Sequence, residues 1–167
     1  VNELRNKDKK LKDYQILALP GGFSYGDDIA SGKILAVELT SFFSEELKKF
    51  LDRQNTLLIG ICNGFQTLIR TGLLPFKELG SMSATLTNND SGHFECRWIK
   101  LRVEKSRCVF LKNTDKIIDL AVNHGEGKFY ADNKTLKTIE QLGLVVFRYV
   151  DEKGNPTQKY PENPNGS

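Results

Sequence analysis

Cys62 has the most reactive-looking setting in this 167-residue chain. It lies in Leu57-Leu58-Ile59-Gly60-Ile61-Cys62-Asn63-Gly64-Phe65-Gln66-Thr67-Leu68-Ile69. The apolar run before it predicts a buried strand, the glycines a sharp turn, and the residues after it a helix. Gly60 and Gly64 flank the cysteine where backbone segments pass close together. Gly-x-Cys-x-Gly is the cysteine form of a nucleophile elbow, which lifts the reactive atom off the C-terminal edge of a sheet. A helix N-terminus favours a thiolate, the reactive form of the side chain. The N–H after the nucleophile, here that of Asn63, is then aimed where an oxyanion forms.

The chemistry such a turn serves is acyl transfer. A thiolate attacks a carbonyl or carboxamide carbon, and backbone N–H groups hold the O⁻ that results. The nucleophile also needs a base oriented by a carboxylate. The chain has two histidines, His93 and His124. His124 stands beside glycines at the end of an expected strand, with Glu126 two residues on, and is expected to structure a site. His93 has a weaker context. Neither supplies a clear base with an adjacent acid. Cys96 and Cys108 have no elbow around them and are expected to pack in the core.

The elbow must be held by a sheet. Asp13 to Leu19 predicts a central strand of a parallel sheet. It runs into Pro20-Gly21-Gly22-Phe23-Ser24-Tyr25-Gly26-Asp27-Asp28, a shaped loop at the strand end where ligands bind in open α/β sheets. A helix is expected from about Ile29–Lys33 to Arg53, with Leu35, Leu39, Phe42, Phe43, Leu47 and Phe50 as core and a Glu45–Lys49 pair outside. The elbow helix should run to about Thr71 and stop at Gly72. One β-α-β unit therefore carries both loops, and its right-handed crossover puts them on one sheet edge.

Beyond it, residues 73–89 look irregular and polar. Phe94, Cys96, Trp98, Ile99, Leu101 and Val103 suggest an antiparallel strand. Ile117 to Val122 and Leu144 to Val150 suggest two more, with a short helix within 132–142 broken by Gly143 and a hairpin-type turn at 151–155. Val1 to Leu4 looks like the close of a strand, and Tyr160 to Ser167 like an interior loop. A single domain over 1–167 is expected, truncated at both ends.

Composition narrows the function class. A net charge of +3, evenly spread, gives no nucleic-acid footprint. No apolar run reaches membrane-spanning length. Three cysteines without a Cys-x-x-Cys spacing argue against a disulfide framework or zinc site and for a reducing, cytoplasmic compartment.

Pro20 to Asp27 and Gly60 to Gln66 resemble the class I glutamine amidotransferases. Among these the chain is most similar to the glutaminase subunits of a purine-biosynthetic synthase. Asn89 to Trp98, His124-Gly125-Glu126-Gly127 and Asn163 to Ser167 extend the resemblance nearly end to end. It implies an α/β, flavodoxin-like fold: an open, mainly parallel sheet with helices on both faces and some antiparallel strands. It further implies that Cys62 attacks the side-chain amide of glutamine and that a γ-glutamyl thioester is hydrolysed to glutamate. Gly22 and Asn63 would form the oxyanion hole, and Phe23, Gln66, Asn89, Ser91 and Phe94 would surround the glutamine. The ammonia would pass to a large synthase subunit, with a small accessory subunit in the same complex. That partner would use ATP and Mg to convert formylglycinamide ribonucleotide to formylglycinamidine ribonucleotide; no cofactor or metal is expected in this subunit. The family has a first strand and helix before the segment matched here, and a His-Pro-Glu motif with the base and its carboxylate after it. The alternatives are a non-catalytic binding or regulatory module on the same fold, another class I amidotransferase, or a cysteine hydrolase.

Overall fold

Two short apolar runs supply the parallel pair that the elbow needs. In the computed structural model, which describes residues 1–167, β1 (Ile16–Leu19) and β2 (Leu57–Gly60) align in parallel, with Ile16 opposite Leu57 and Leu19 opposite Gly60. The register brings both strand ends, and so both loops, to one edge, as the crossover rule requires. The strands belong to the first of two compact units, Val1–Ser83 and Ala84–Ser167.

In the first unit the crossover is made by α2 (Lys33–Phe42) and α3 (Ser44–Asp52), preceded by one helical turn, α1 (Asn2–Arg5). Residues 2–5 were expected to close a strand; they are too polar to hold one and form the turn instead. The single long helix expected from 33 to 53 is broken at Phe43, whose φ and ψ are −122° and 11°. The break separates two adjacent aromatics. Phe43 joins Leu11, Leu19, Leu39, Leu47, Phe50, Leu68 and Leu73 in the core, whereas Phe42, expected inside, is 68% exposed beneath the Arg5 guanidinium, 5.0 Å from its ring centre. Glu45 pairs with Lys48 at 3.4 Å rather than with Lys49, a solvated contact of little energetic weight.

The elbow helix α4 (Asn63–Arg70) stops where expected. Gly72 takes φ +78° and donates its N–H to the Ile69 carbonyl at 3.1 Å. Its N-terminal turn lies hard against β1: a Cβ on Gly64 would stand 2.0 Å from the Leu19 carbonyl oxygen, and one on Gly60 2.7 Å from the Gly64 oxygen. The two glycines of the elbow are therefore packing requirements.

The second unit is built on antiparallel ladders. β3 (Ala84–Thr87) pairs with β6 (Lys128–Ala131), and β4 (Glu95–Val103) lies between β5 (Ile117–His124) and β7 (Phe147–Tyr149). Strands β3 and β6 are not evident in the sequence because Ala-Thr-Leu-Thr and Lys-Phe-Tyr-Ala mix polar with apolar residues, unlike the apolar runs of β1 and β2. Helix α5 (Asn133–Gln141) is N-capped by Asp132, which accepts the Thr135 N–H at 2.7 Å. The turn at 151–155 closes through Asp151 and Asn155, as expected. The apolar phase of β4 slips midway. Ile99 and Leu101 are buried, and the residue in phase with them at the strand start is the buried Glu95. Cys96 and Trp98 fall on the opposite face. Cys96, expected to pack, is exposed, and Trp98 is 74% exposed. No helix is long and apolar enough to cross a membrane.

Replacing Gly64 with alanine is expected to destabilise the first unit by about 3 kcal/mol or more, because the clash is with backbone and cannot be relieved by a rotamer. Urea unfolding checks this; a loss under about 0.5 kcal/mol would mean that α4 can move away from β1 freely.

Candidate active site

Cys62 occupies the turn between β2 and α4 with φ +53° and ψ −114°, a conformation that L residues rarely adopt and that costs about 1–3 kcal/mol. The surroundings impose it. Ile61 N–H is held by the Leu19 carbonyl at 3.0 Å, and the next three N–H groups of the turn, those of Gly64, Phe65 and Gln66, bond back to Ile61 and Cys62 at 2.9–3.1 Å. The Asn63 N–H is left without a protein acceptor at the positive end of the helix. The cysteine is exposed to solvent. Gly21 sits directly beside it: a Cβ there would be 3.1 Å from Cys62 Cβ and 3.8 Å from Sγ. The next residue, Gly22, has φ +115° and open space on its Cβ side, and its N–H also has no protein acceptor. A strained, exposed cysteine thus stands with a free N–H on its own helix and another on the adjoining loop.

That loop is held through Ser24, Tyr25 and Asp27. Ser24 Oγ donates to Asn63 Oδ1 at 2.6 Å. Asn63 Nδ2 donates to both carboxylate oxygens of Asp27 at 3.0 Å each, and more weakly to Gln66 Oε1 at 3.3 Å. Asp27 Oδ1 also accepts the Gly32 N–H at 2.9 Å. Between them Tyr25 donates its hydroxyl to Glu38, whose other oxygen takes the Arg5 guanidinium. That hydrogen bond to a carboxylate, with burial adding, raises the Tyr25 phenol above its ordinary value. Tyr25 and Asp27 both have φ +54°, so the loop that bonds Asn63 also carries left-handed backbone. Asn63 is 2% exposed; Gln66 is buried one turn along the helix, while Phe23 is 73% exposed at the loop tip.

In the second unit the remaining sequence motifs meet at Asn89. Its buried side chain is fully used. Nδ2 donates to the His93 and His124 carbonyls at 3.0 and 2.9 Å; Oδ1 accepts from Gly127 N–H at 3.1 Å and from His124 Nδ1 at 3.0 Å. The His124 ring fills the space over Gly127, where a Cβ would come within 2.3 Å of it, and Phe94 lies over Gly125. The 163–167 segment closes the cluster. Asn165 Nδ2 bonds Gly127 O and Tyr149 Oη, each at 2.8 Å, and the Asp90 N–H reaches Asn165 O at 3.2 Å. Ser91 lies at the partly exposed end of this loop.

Beside it Glu95, 1% exposed, is approached by Arg97 at 2.7 Å and His93 at 3.1 Å. The Ser91 hydroxyl, then Arg97 and His93, hold its carboxyl below the ordinary value against the opposing effect of burial. Arg97 also stacks on Tyr160, 4.9 Å from its ring centre, and bonds its hydroxyl at 2.7 Å. His93 thereby lies against the buried Glu95, and His124 is held within the loop scaffold around Asn89. Ser24, Asp27, Gly21 and Glu95 were not singled out from the sequence. Polar side chains inside the glycine loop were the available signal for the first two. No group of His, Cys, Asp and Glu side chains could hold a metal ion.

An α/β unit with a cysteine elbow and a glycine loop facing it defines a glutamine amidotransferase-type domain. Residues 1–167 match the CobB/CobQ-like glutamine amidotransferase domain, and the chain belongs to that family. Its relatives include phosphoribosylformylglycinamidine synthase subunit PurQ of Methanococcus maripaludis, 42% identical over 100% of this chain and 62% of that protein. The subunit PurQ of Dehalococcoides mccartyi is 44% identical over 100% of this chain and 64% of its own length. The structure of PurLQS from Thermotoga maritima is 34% identical, with a TM-score of 0.64 over 87% of this chain and 60% of that one. The glutaminase domain of Trypanosoma brucei CTPS with bound acivicin, 12% identical with a TM-score of 0.50 over 93% of this chain and 58% of that one, shares the fold. The chain spans 62% of the length of the first of these curated relatives. The resemblance to class I glutamine amidotransferases is confirmed, and with it the α/β class. The parallel pairing is that of β1 with β2 in the first unit; the two sheets of the second unit are antiparallel.

Burial pushes the His124 imidazole below its ordinary value of 6.5. The folded state then binds this proton less readily than the unfolded chain, so His124 contributes stability above that value that is lost as pH falls through and below it. Urea unfolding between pH 8 and pH 5 is expected to show a steeper loss of stability for the wild type than for His124→Gln. Parallel profiles would show that His124 is equally solvated in both states.

Proposed function

We propose that this protein is the glutaminase subunit of a phosphoribosylformylglycinamidine synthase. The observation that carries the proposal is the strained, exposed Cys62 beside two unpartnered N–H groups, those of Gly22 and Asn63. The relatives' names supply the synthase. The Cys62 thiolate attacks the side-chain amide carbon of glutamine, and the two N–H groups hold the oxyanion. Collapse expels ammonia and leaves a γ-glutamyl thioester, which water hydrolyses to glutamate. The ammonia passes to the large synthase subunit, assisted by a small accessory subunit. There ATP and Mg drive the amidation of formylglycinamide ribonucleotide; this chain needs no cofactor.

Within the first unit, Phe23 and Gln66 receive the glutamine. Asn89 contributes by holding the loop, since its hydrogen-bonding capacity is spent within the protein. Neither His93 nor His124 is assigned as the base. The protein works in the cytoplasm, without nucleic acid or membrane.

In the complete protein, glutamate release should be slow alone and stimulated by the synthase subunit with its nucleotide substrates. Cys62→Ser should lower kcat by at least about 10³-fold, as loss of a nucleophile does elsewhere. A variant keeping more than a tenth of wild-type turnover would overturn the assignment, and an uncatalytic wild type with its partner present would leave a binding module.

A further inference from the structure

The two oxyanion donors sit on different segments, Gly22 on the loop after β1 and Asn63 on α4. At their roots the segments are joined by one backbone bond, Ile61 N–H to Leu19 O at 3.0 Å. At their tips they are joined by the side chain of Asn63 itself, through Ser24 on one side and Asp27 on the other. This junction is buried at Asn63 and charge-assisted, and hydrogen bonds to a charged group are the stronger kind. It is also directional. A carboxylate only accepts, so Asp27 compels the Asn63 amide to present Nδ2 to it and leaves Oδ1 for the Ser24 hydroxyl. An asparagine at 27, with its Oδ1 kept on the Gly32 N–H, would set its own Nδ2 donor against Asn63 Nδ2. The Gly32 N–H fixes Asp27 in turn, and Gly32 lies against Thr67 of α4, where a Cβ would come within 2.8 Å of the backbone nitrogen.

We propose that Asp27, with Ser24, is a positioning residue for the oxyanion hole: it sets the spacing of the Gly22 and Asn63 N–H groups by gripping the Asn63 side chain. The inference rests on the glutaminase reading above and adds to it a residue pair that never touches glutamine. Such a role acts on the transition state, where donor placement matters, and leaves ground-state binding nearly alone. Misplacing reacting groups by about 1 Å costs about 10²-fold.

The test uses the complete protein with its synthase. Asp27→Asn is expected to lower kcat for glutamine about 10- to 100-fold with KM within about threefold, and Ser24→Ala to lower kcat about 3- to 10-fold. The exchange Asp27→Asn with Asn63→Asp restores one donor facing one carboxylate, and should recover kcat at least about fivefold over Asp27→Asn alone. A kcat within about twofold of wild type for both single variants overturns the inference, as does a rise in KM at constant kcat. If Asp27→Asn does not fold, Ser24→Ala decides by the same split. A wild type that releases no glutamate removes the glutaminase reading and this inference together; an active wild type with unaffected variants removes this inference alone.

Discussion

The N-terminal turn of α4 lies so close to the end of β1 that the Leu19 carbonyl oxygen occupies the place of a side chain at Gly64. Much of the first unit follows from that approach. A helix packed this tightly on a neighbouring strand leaves the chain only two residues, Ile61 and Cys62, in which to turn. The turn is therefore strained, and the strain falls on the cysteine. Gly60 must be bare because it faces Gly64, and a Cβ on Gly21 would press on Cys62 at 3.1 Å. The backbone N–H groups of Gly64, Phe65 and Gln66 are satisfied inside the turn, and the Asn63 N–H at the helix start is not. The strained cysteine and the free N–H beside it are thus two products of one packing constraint, stabilised by the leucine and phenylalanine core beneath.

Asn63 and Asn89 do similar work in the two units. Each is a buried amide whose donors and acceptors are committed to neighbouring loops, and a buried amide left unpaired is costly. Asn63 binds the glycine loop to the elbow; Asn89 binds the 89–93, 124–127 and 163–167 segments through its own bonds and those of Asp90. Loops fixed in this way hold conformations that their own turn propensities would not select, such as the left-handed backbone of Tyr25 and Asp27.

The elbow was legible because its signal is local: two glycines, one cysteine and a change from strand to helix within a dozen residues. The parallel pair and the common loop edge followed from handedness alone. What could not be read depends on partners distant in sequence. Ser24 and Asp27 acquire a role only when Asn63, more than thirty residues away, is folded against them. Glu95 is buried because Arg97 and His93 converge on it, and a binary pattern that counts charge as exposure gives the strand the wrong phase. Strands β3 and β6 lack the apolar runs that mark β1 and β2 and exist through each other. The break at Phe43 was hidden because helical spacing from Leu39 to Leu47 runs straight across it.

The central claim is that Cys62 carries the glutamyl group between amide cleavage and hydrolysis. The most direct test is to mix the complete protein and its synthase with glutamine, quench in acid during turnover, and weigh the protein and its peptides. The account requires a covalent adduct of one glutamyl group, labile to hydroxylamine as a thioester is and confined to the Cys62 peptide. Steady glutamate formation with no adduct on Cys62, or with the adduct on another residue, would contradict it.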